Sequence, residues 1–167
     1  MAIRSHLFCF LITLLAGILN AQSATIQSPD EFLSYKLGSR FTPHHLLVDY
    51  FKYVDGVSDR IQLIEYGETY ELRPLIAAII SSPANMKRIE EIRQNNLRRT
   101  GMLAGEAKED NIAIVYLSYT VHGNEAAGAE SSMAVLYDLL KAGSPYAKWL
   151  ENTVVIIDPT LNPDGYN

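Results

Sequence analysis

His122 and Glu125 stand three residues apart in "YTVHGNEAAGAE" (residues 119–130), where an apolar run gives way to a helical pattern. Neutral imidazole and carboxylate are both good zinc ligands, and a catalytic zinc keeps three protein ligands plus one position for water. Gly123 between them imposes little steric cost on a tight turn. Glu125 at the start of a helix would also sit where the macrodipole favours negative charge, with or without a metal. Residue type and spacing therefore leave two readings open: half of a metal site, or a strand-to-helix turn that contains these two residues. His44 and His45 are weaker candidates. They are adjacent in a helical pattern, where neighbouring side chains diverge by about a hundred degrees, so they read as surface residues rather than joint ligands. No histidine follows His122.

The elements that must position such a pair alternate between helix and strand. Residues 28–35 read as a polar entry with one helical turn. Thr42-Pro43 then reads as a helix start, a hydroxyl N-cap followed by proline at the first helical position. Leu46, Leu47, Tyr50, Phe51 and Val54 follow at helical spacing, with Gly56 as the expected stop. Residues 61–66 and 75–80 read as strands, the second a nearly uninterrupted apolar run that suggests cover on both faces. Residues 85–99 read as one amphipathic helix carrying Met86, Ile89, Ile92 and Leu97. Its Arg98-Arg99 end offsets the macrodipole. Residues 112–119 and 154–157 read as buried strands, and 124–142 as a helix. The class is α/β with a largely covered sheet. In open α/β sheets ligands bind outside the carboxyl ends of the strands, and His122 lies just past the strand at 112–119.

Composition narrows the function classes. Arg and Lys (14) are outnumbered by Asp and Glu (19) and scattered, which gives a net charge of −5 and no basic nucleic-acid footprint. Residues 1–21 have a positive Arg4, an uncharged apolar run over 7–19 and a small, polar end. That is the layout of a secretory signal peptide, too short an apolar run for a comfortable membrane span. Cleavage after Ala21 would remove Arg4 and no acidic residue, and also Cys9, the only cysteine. The exported part would then hold no disulfide and no stable membrane span.

Three stretches, in order, resemble the zinc metallocarboxypeptidases in their secreted bacterial form. "YGETYELRPLIAAIIS" (residues 66–81) looks like the family's early strand pair with its Glu-x-Arg-Pro turn. "VHGNE" (residues 121–125) is similar to the segment that gives the first two zinc ligands, which implies that role for His122 and Glu125. "NPDGY" (residues 162–166) matches the turn after the next buried strand, which shapes the floor of the site. The resemblance covers most of residues 60–167. It implies a mixed, mostly parallel sheet flanked by helices, with zinc at the strand ends and a peptide or protein substrate. Residues 22–59 form a helical lead-in, and 60–167 the N-terminal part of a catalytic domain.

The sequence departs from the family at two places. Leu72 stands where the turn commonly has glycine, and Asn124 where the animal digestive enzymes have an arginine. The resemblance also puts the third zinc ligand, the general-base glutamate, the transition-state arginine and the asparagine-arginine pair that grips a terminal carboxylate beyond Asn167. The expectation is a fragment that supplies two metal ligands, has no catalytic residue of its own, and is inactive alone. In the intact enzyme, a zinc-polarised carbonyl and an activated water would do the hydrolysis. Two alternatives accompany this reading. One is a deacylase of the aspartoacylase and succinylglutamate desuccinylase type, which also uses a "HGNE"-like segment. The other is a non-catalytic exported α/β binding module.

Overall fold

The computed structural model describes residues 25–166; the leader proposed for 1–21 lies outside them. The chain enters through α1 (Pro29–Leu33), whose Ser28 and Glu31 form a reciprocal capping box, which satisfies amides that the helix start would otherwise leave unpaired. Helix α2 (His44–Val57) follows. Strands β1 (Ile61–Glu68) and β2 (Pro74–Ile80) make an antiparallel hairpin with a bulge between Glu65 and Gly67. Short α3 (Pro83–Met86) and α4 (Ile89–Arg99) lead to β3 (Ala113–Ser118). Helix α5 (Ala126–Leu140) then returns the chain to β4 (Thr153–Asp158), and the helical turn α6 (Pro163–Tyr166) closes it.

The sheet order is β1-β2-β4-β3. Strands β2 and β4 are antiparallel, and β3 and β4 are parallel with Val115 opposite Val155 and Ser118 opposite Asp158. The fold is thus a mixed α/β sheet with helices against it, as expected; within the described residues the parallel pairing is the one between β3 and β4. One sheet face carries Ile76, Ala78, Ile80, Val155 and Ile157 into a core completed by Leu47, Tyr50, Phe51 and Val54 of α2 and Met133, Leu136 and Leu140 of α5. Burial of large apolar side chains at about 1.5–3 kcal/mol each is what holds these helices to the sheet.

Local expectations fail at four places, each for a physical reason. Thr42 does not cap α2: its amide and hydroxyl both donate to Glu130 Oε1, at 3.1 and 2.8 Å. Helix α2 runs through Gly56 to Val57, because burial of Val54 holds the last turn against the modest glycine penalty. The helix expected over 85–99 is broken at Lys87-Arg88. Asn85 is buried there and donates to Ser81 Oγ, Leu150 O and Glu151 O, so its amide is satisfied by tertiary partners. Strand β3 is not buried. It borders only β4 among the described residues, and Val115 and Tyr116 are 40% and 55% exposed. An apolar run does not by itself separate an edge strand from a central one.

Candidate metal centre

Because β2 runs antiparallel to β4, and β3 parallel to it, one end of the sheet gathers the carboxyl ends of β3 and β4 together with the β1–β2 turn. The His122 segment leaves β3 at that end. Thr120, buried and at φ 51°, turns the chain out of the strand. Its carbonyl accepts the Asn162 amide at 3.2 Å, while the Tyr119 amide donates to Asp158 O and the Leu161 amide to Tyr119 O. The loop is therefore sewn to the chain leaving β4.

His122 and Glu125 converge. His122 Nδ1 lies 3.3 Å from Glu125 Oε1, with both side chains largely exposed. The Glu125 amide donates to His122 O, and Glu125 precedes the first residue of α5 without capping it through its side chain. The carboxylate is thus left available. Two ligands about 2.0–2.1 Å from a tetrahedral ion are separated by about 3.3 Å, so this pair fits two corners of a zinc site. Among the described residues no group of three His, Cys, Asp or Glu could hold a metal.

The loop's shape depends on a close approach. A β-carbon on Gly123 would overlap the carbonyl group of Gly165 in α6, so the segment between His122 and Glu125 rests directly on the "NPDGY" turn. That turn is itself fixed: the Gly165 amide donates to Asn162 Oδ1 at 3.0 Å and the Tyr166 hydroxyl to Thr42 O at 2.6 Å. On its other side, Asp164 clamps the β1–β2 turn. Thr69 Oγ1 and Arg73 Nη1 donate to Asp164 Oδ1 at 2.6 and 2.7 Å, and the Glu71 amide to Oδ2 at 3.2 Å. Desolvation pushes the Asp164 pKa up, but the bonds from Thr69, Arg73 and Glu71 outweigh it and hold it below the ordinary range. Arg73 is correspondingly raised, chiefly by its bond to Asp164.

Of the other residues weighed from sequence, His44 is not a surface residue. It is 2% exposed, its Nε2 lies 3.1 Å from Pro74 O, and desolvation lowers its pKa. His45 is exposed, and the two do not act together. Leu72 adopts φ 61° with its side chain in solvent, which is why glycine suits that position. Sequence reasoning missed Asp164, Arg73 and Glu130 as supports. The first two lie inside quoted motifs, but nothing local shows that they meet. It also missed Asp158, a buried carboxylate whose Oδ2 accepts the Tyr66 and Tyr116 hydroxyls at 2.6 and 3.1 Å. Burial, with the bond to Asp158, raises both phenols.

Residues 48–167 match the zinc carboxypeptidase family. A stretch of 51 residues is 45% identical to the probable carboxypeptidase 2 of Trichophyton verrucosum, covering 30% of this chain and 10% of that protein. The carboxypeptidase 2 of Trichophyton tonsurans gives the same figures. The fold is similar to carboxypeptidase A of Helicoverpa armigera, with a TM-score of 0.57 at 15% identity over 83% of this chain and 31% of that one. It is also similar to a metallo-carboxypeptidase from Burkholderia cenocepacia, with a TM-score of 0.54 at 18% identity over 75% and 28% of the two chains. At those identities the structural likeness is one of fold. The chain spans about a tenth of the length of the curated relatives it matches, and under a third of these solved structures.

Proposed function

This chain belongs to the zinc carboxypeptidase family, and from that premise we propose that it provides two metal ligands, His122 and Glu125, of a secreted zinc-dependent carboxypeptidase. The enzyme hydrolyses peptide bonds at or near the C-terminus of peptide or protein substrates. The observation that carries the reading is the 3.3 Å convergence of His122 Nδ1 and Glu125 Oε1 at the end of the sheet where β3 and β4 terminate. Zinc bound there would supply Lewis-acid polarisation of the scissile carbonyl and an acidified water.

The residues of this chain hold and orient. His122 offers a ring nitrogen and Glu125 a carboxylate, a donor set suited to zinc. Gly123, seated on Gly165, fixes the distance between them. Asp164 and Asn162 keep that seat rigid through the bonds to Thr69, Arg73 and Gly165. A catalytic zinc needs a third protein ligand, and the described residues offer none beside this pair. The family resemblance assigns the third ligand, general base and oxyanion-binding arginine to parts of the enzyme other than these residues, and on that reading the 167-residue chain alone is expected to be inactive. The layout of residues 1–21 supports export. No helix among the described residues is long and apolar enough to cross a membrane.

Zinc titration against a competing chelator tests the site. His122→Ala and Glu125→Ala should each weaken zinc binding by more than about a hundredfold, beyond the roughly 10–100-fold that loss of a supporting outer contact costs. Affinity unchanged in both variants would sink the assignment. Zinc-dependent hydrolysis of an N-blocked dipeptide with a free C-terminal carboxylate by the purified chain would overturn its expected inactivity.

A further inference from the structure

We propose that Thr42 is a positioning residue for the loop that carries His122 and Glu125, joining the helix that follows Glu125 to the turn that seats Gly123. The inference rests on the zinc reading above. Thr42 is fully buried and lies ahead of residues 48–167, the segment that matches the family. Its amide and hydroxyl both donate to Glu130 Oε1, at 3.1 and 2.8 Å. Glu130 belongs to α5, whose first residue follows Glu125 directly. The Thr42 carbonyl accepts the Tyr166 hydroxyl at 2.6 Å, and Tyr166 follows Gly165, whose carbonyl group lies against Gly123. A tether for the lead-in alone would engage one neighbour; Thr42 engages α5 and α6 together.

The links are short and largely buried. Tyr35 donates to the Thr42 hydroxyl at 3.0 Å, which leaves that hydroxyl's own proton for Glu130. Burial pushes the Tyr166 phenol up, and the Glu130 carboxylate adds to the effect, so the hydroxyl stays a donor at neutral pH. Phe41, beside Thr42 in sequence, packs its ring on Tyr166 with centroids 4.8 Å apart. At the far end, α5 meets the strand exit itself. A β-carbon on Gly128 would come within 3.0 Å of Thr120 Oγ1, so the first turn of α5 cannot shift without pressing on the residue that turns the chain out of β3. Satisfied buried networks of this kind rigidify one arrangement, and removing one member is felt by the others.

The experiment uses the full chain, 15N-labelled, and compares Thr42→Val, Thr42→Ser and Tyr35→Phe, each shown to be folded by near-ultraviolet circular dichroism. In zinc-free protein, Thr42→Val should move the amide resonances of residues 122–125, and Thr42→Ser, which keeps the hydroxyl, should return them toward the parent positions. Zinc titrated against a chelator should bind Thr42→Val about fivefold more weakly, within the range by which changes along a coupled network alter a remote site. Thr42→Ser should recover most of that loss. Tyr35→Phe leaves the bonds to Glu130 and Tyr166 in place and should change neither readout. Tyr166→Phe removes the link to α6 and should also weaken zinc, which keeps the test open where Thr42→Val does not fold. Resonance changes confined to the surroundings of residues 42 and 130, no rescue by serine, or unchanged zinc affinity in Tyr166→Phe overturns the positioning role. A parent chain that binds no zinc sinks the metal reading alone, because the zinc-free resonances still decide whether Thr42 sets the loop.

Discussion

His122, Gly123 and Glu125 illustrate how much chemistry a short segment can announce. The donor types and their spacing were readable directly, and so was the low steric cost of glycine in the turn between them. The reason for Gly123 was not readable, because its neighbour is Gly165, in another part of the chain. Gly123→Ala should therefore cost about 3 kcal/mol, the upper range for forcing atoms into a packed contact, measured as a shift of the urea midpoint. A cost below about 0.5 kcal/mol, typical of unconstrained surface positions, would mean that the two turns do not bear on one another. Asp158 was illegible for a different reason. Nothing in "VVIID" reveals that Tyr66, from the far edge of the sheet, will donate to it.

At the scale of elements, periodicity located β1, β2, β3, β4 and α5 but misjudged the surroundings of β3. An apolar strand reads alike at the edge and the centre, so β3 looked covered and is not. The break between α3 and α4 was invisible because Asn85 is satisfied by residues 81, 150 and 151. His44 shows the same blindness, since its burial comes from the β2 start that packs on it. That contact predicts a pH dependence. The folded state holds His44 below its ordinary pKa of about 6.5, so the unfolded chain takes up a proton first as the solution is acidified. Stability is then full above about pH 6.5 and declines as pH falls toward the lowered native value. In His44→Gln this part of the decline should be absent from denaturation midpoints measured between about pH 7 and pH 5; an unchanged slope would show that the imidazole does not titrate with folding. The Asp164 clamp responds in the same direction but at lower pH. A depressed carboxylate starts to lose its contribution as the pH falls into the ordinary carboxylate range and has lost it below its lowered native value.

Taken as a whole, the molecule places every loop of interest at one end of a four-stranded sheet. The α/β class and the strand-end position of His122 were legible, since they follow from alternation and from where apolar runs stop. The union of the three motifs was not, because it depends on β4 passing between β2 and β3, a choice of order that no single segment encodes. The seating of Gly123 on Gly165 also has a consequence in time. A nascent chain makes His122 and Glu125 first, then all of α5 and β4, and only afterwards the turn on which the segment between them is seated. Contacts between distant segments form late, after the cost of closing the loop between them. On the proposed site, a metal would therefore find His122 and Glu125 paired only once the chain has returned through β4. Polypeptides ended at Asp158 should carry His122 and Glu125 yet compete poorly with a chelator for zinc, while those ended after Tyr166 compete measurably better; equal competition would show that the pair assembles without its floor. On the proposed site, zinc acquisition would in this sense be a late checkpoint on folding, reached only by chains in which the sheet has already been threaded in the right order.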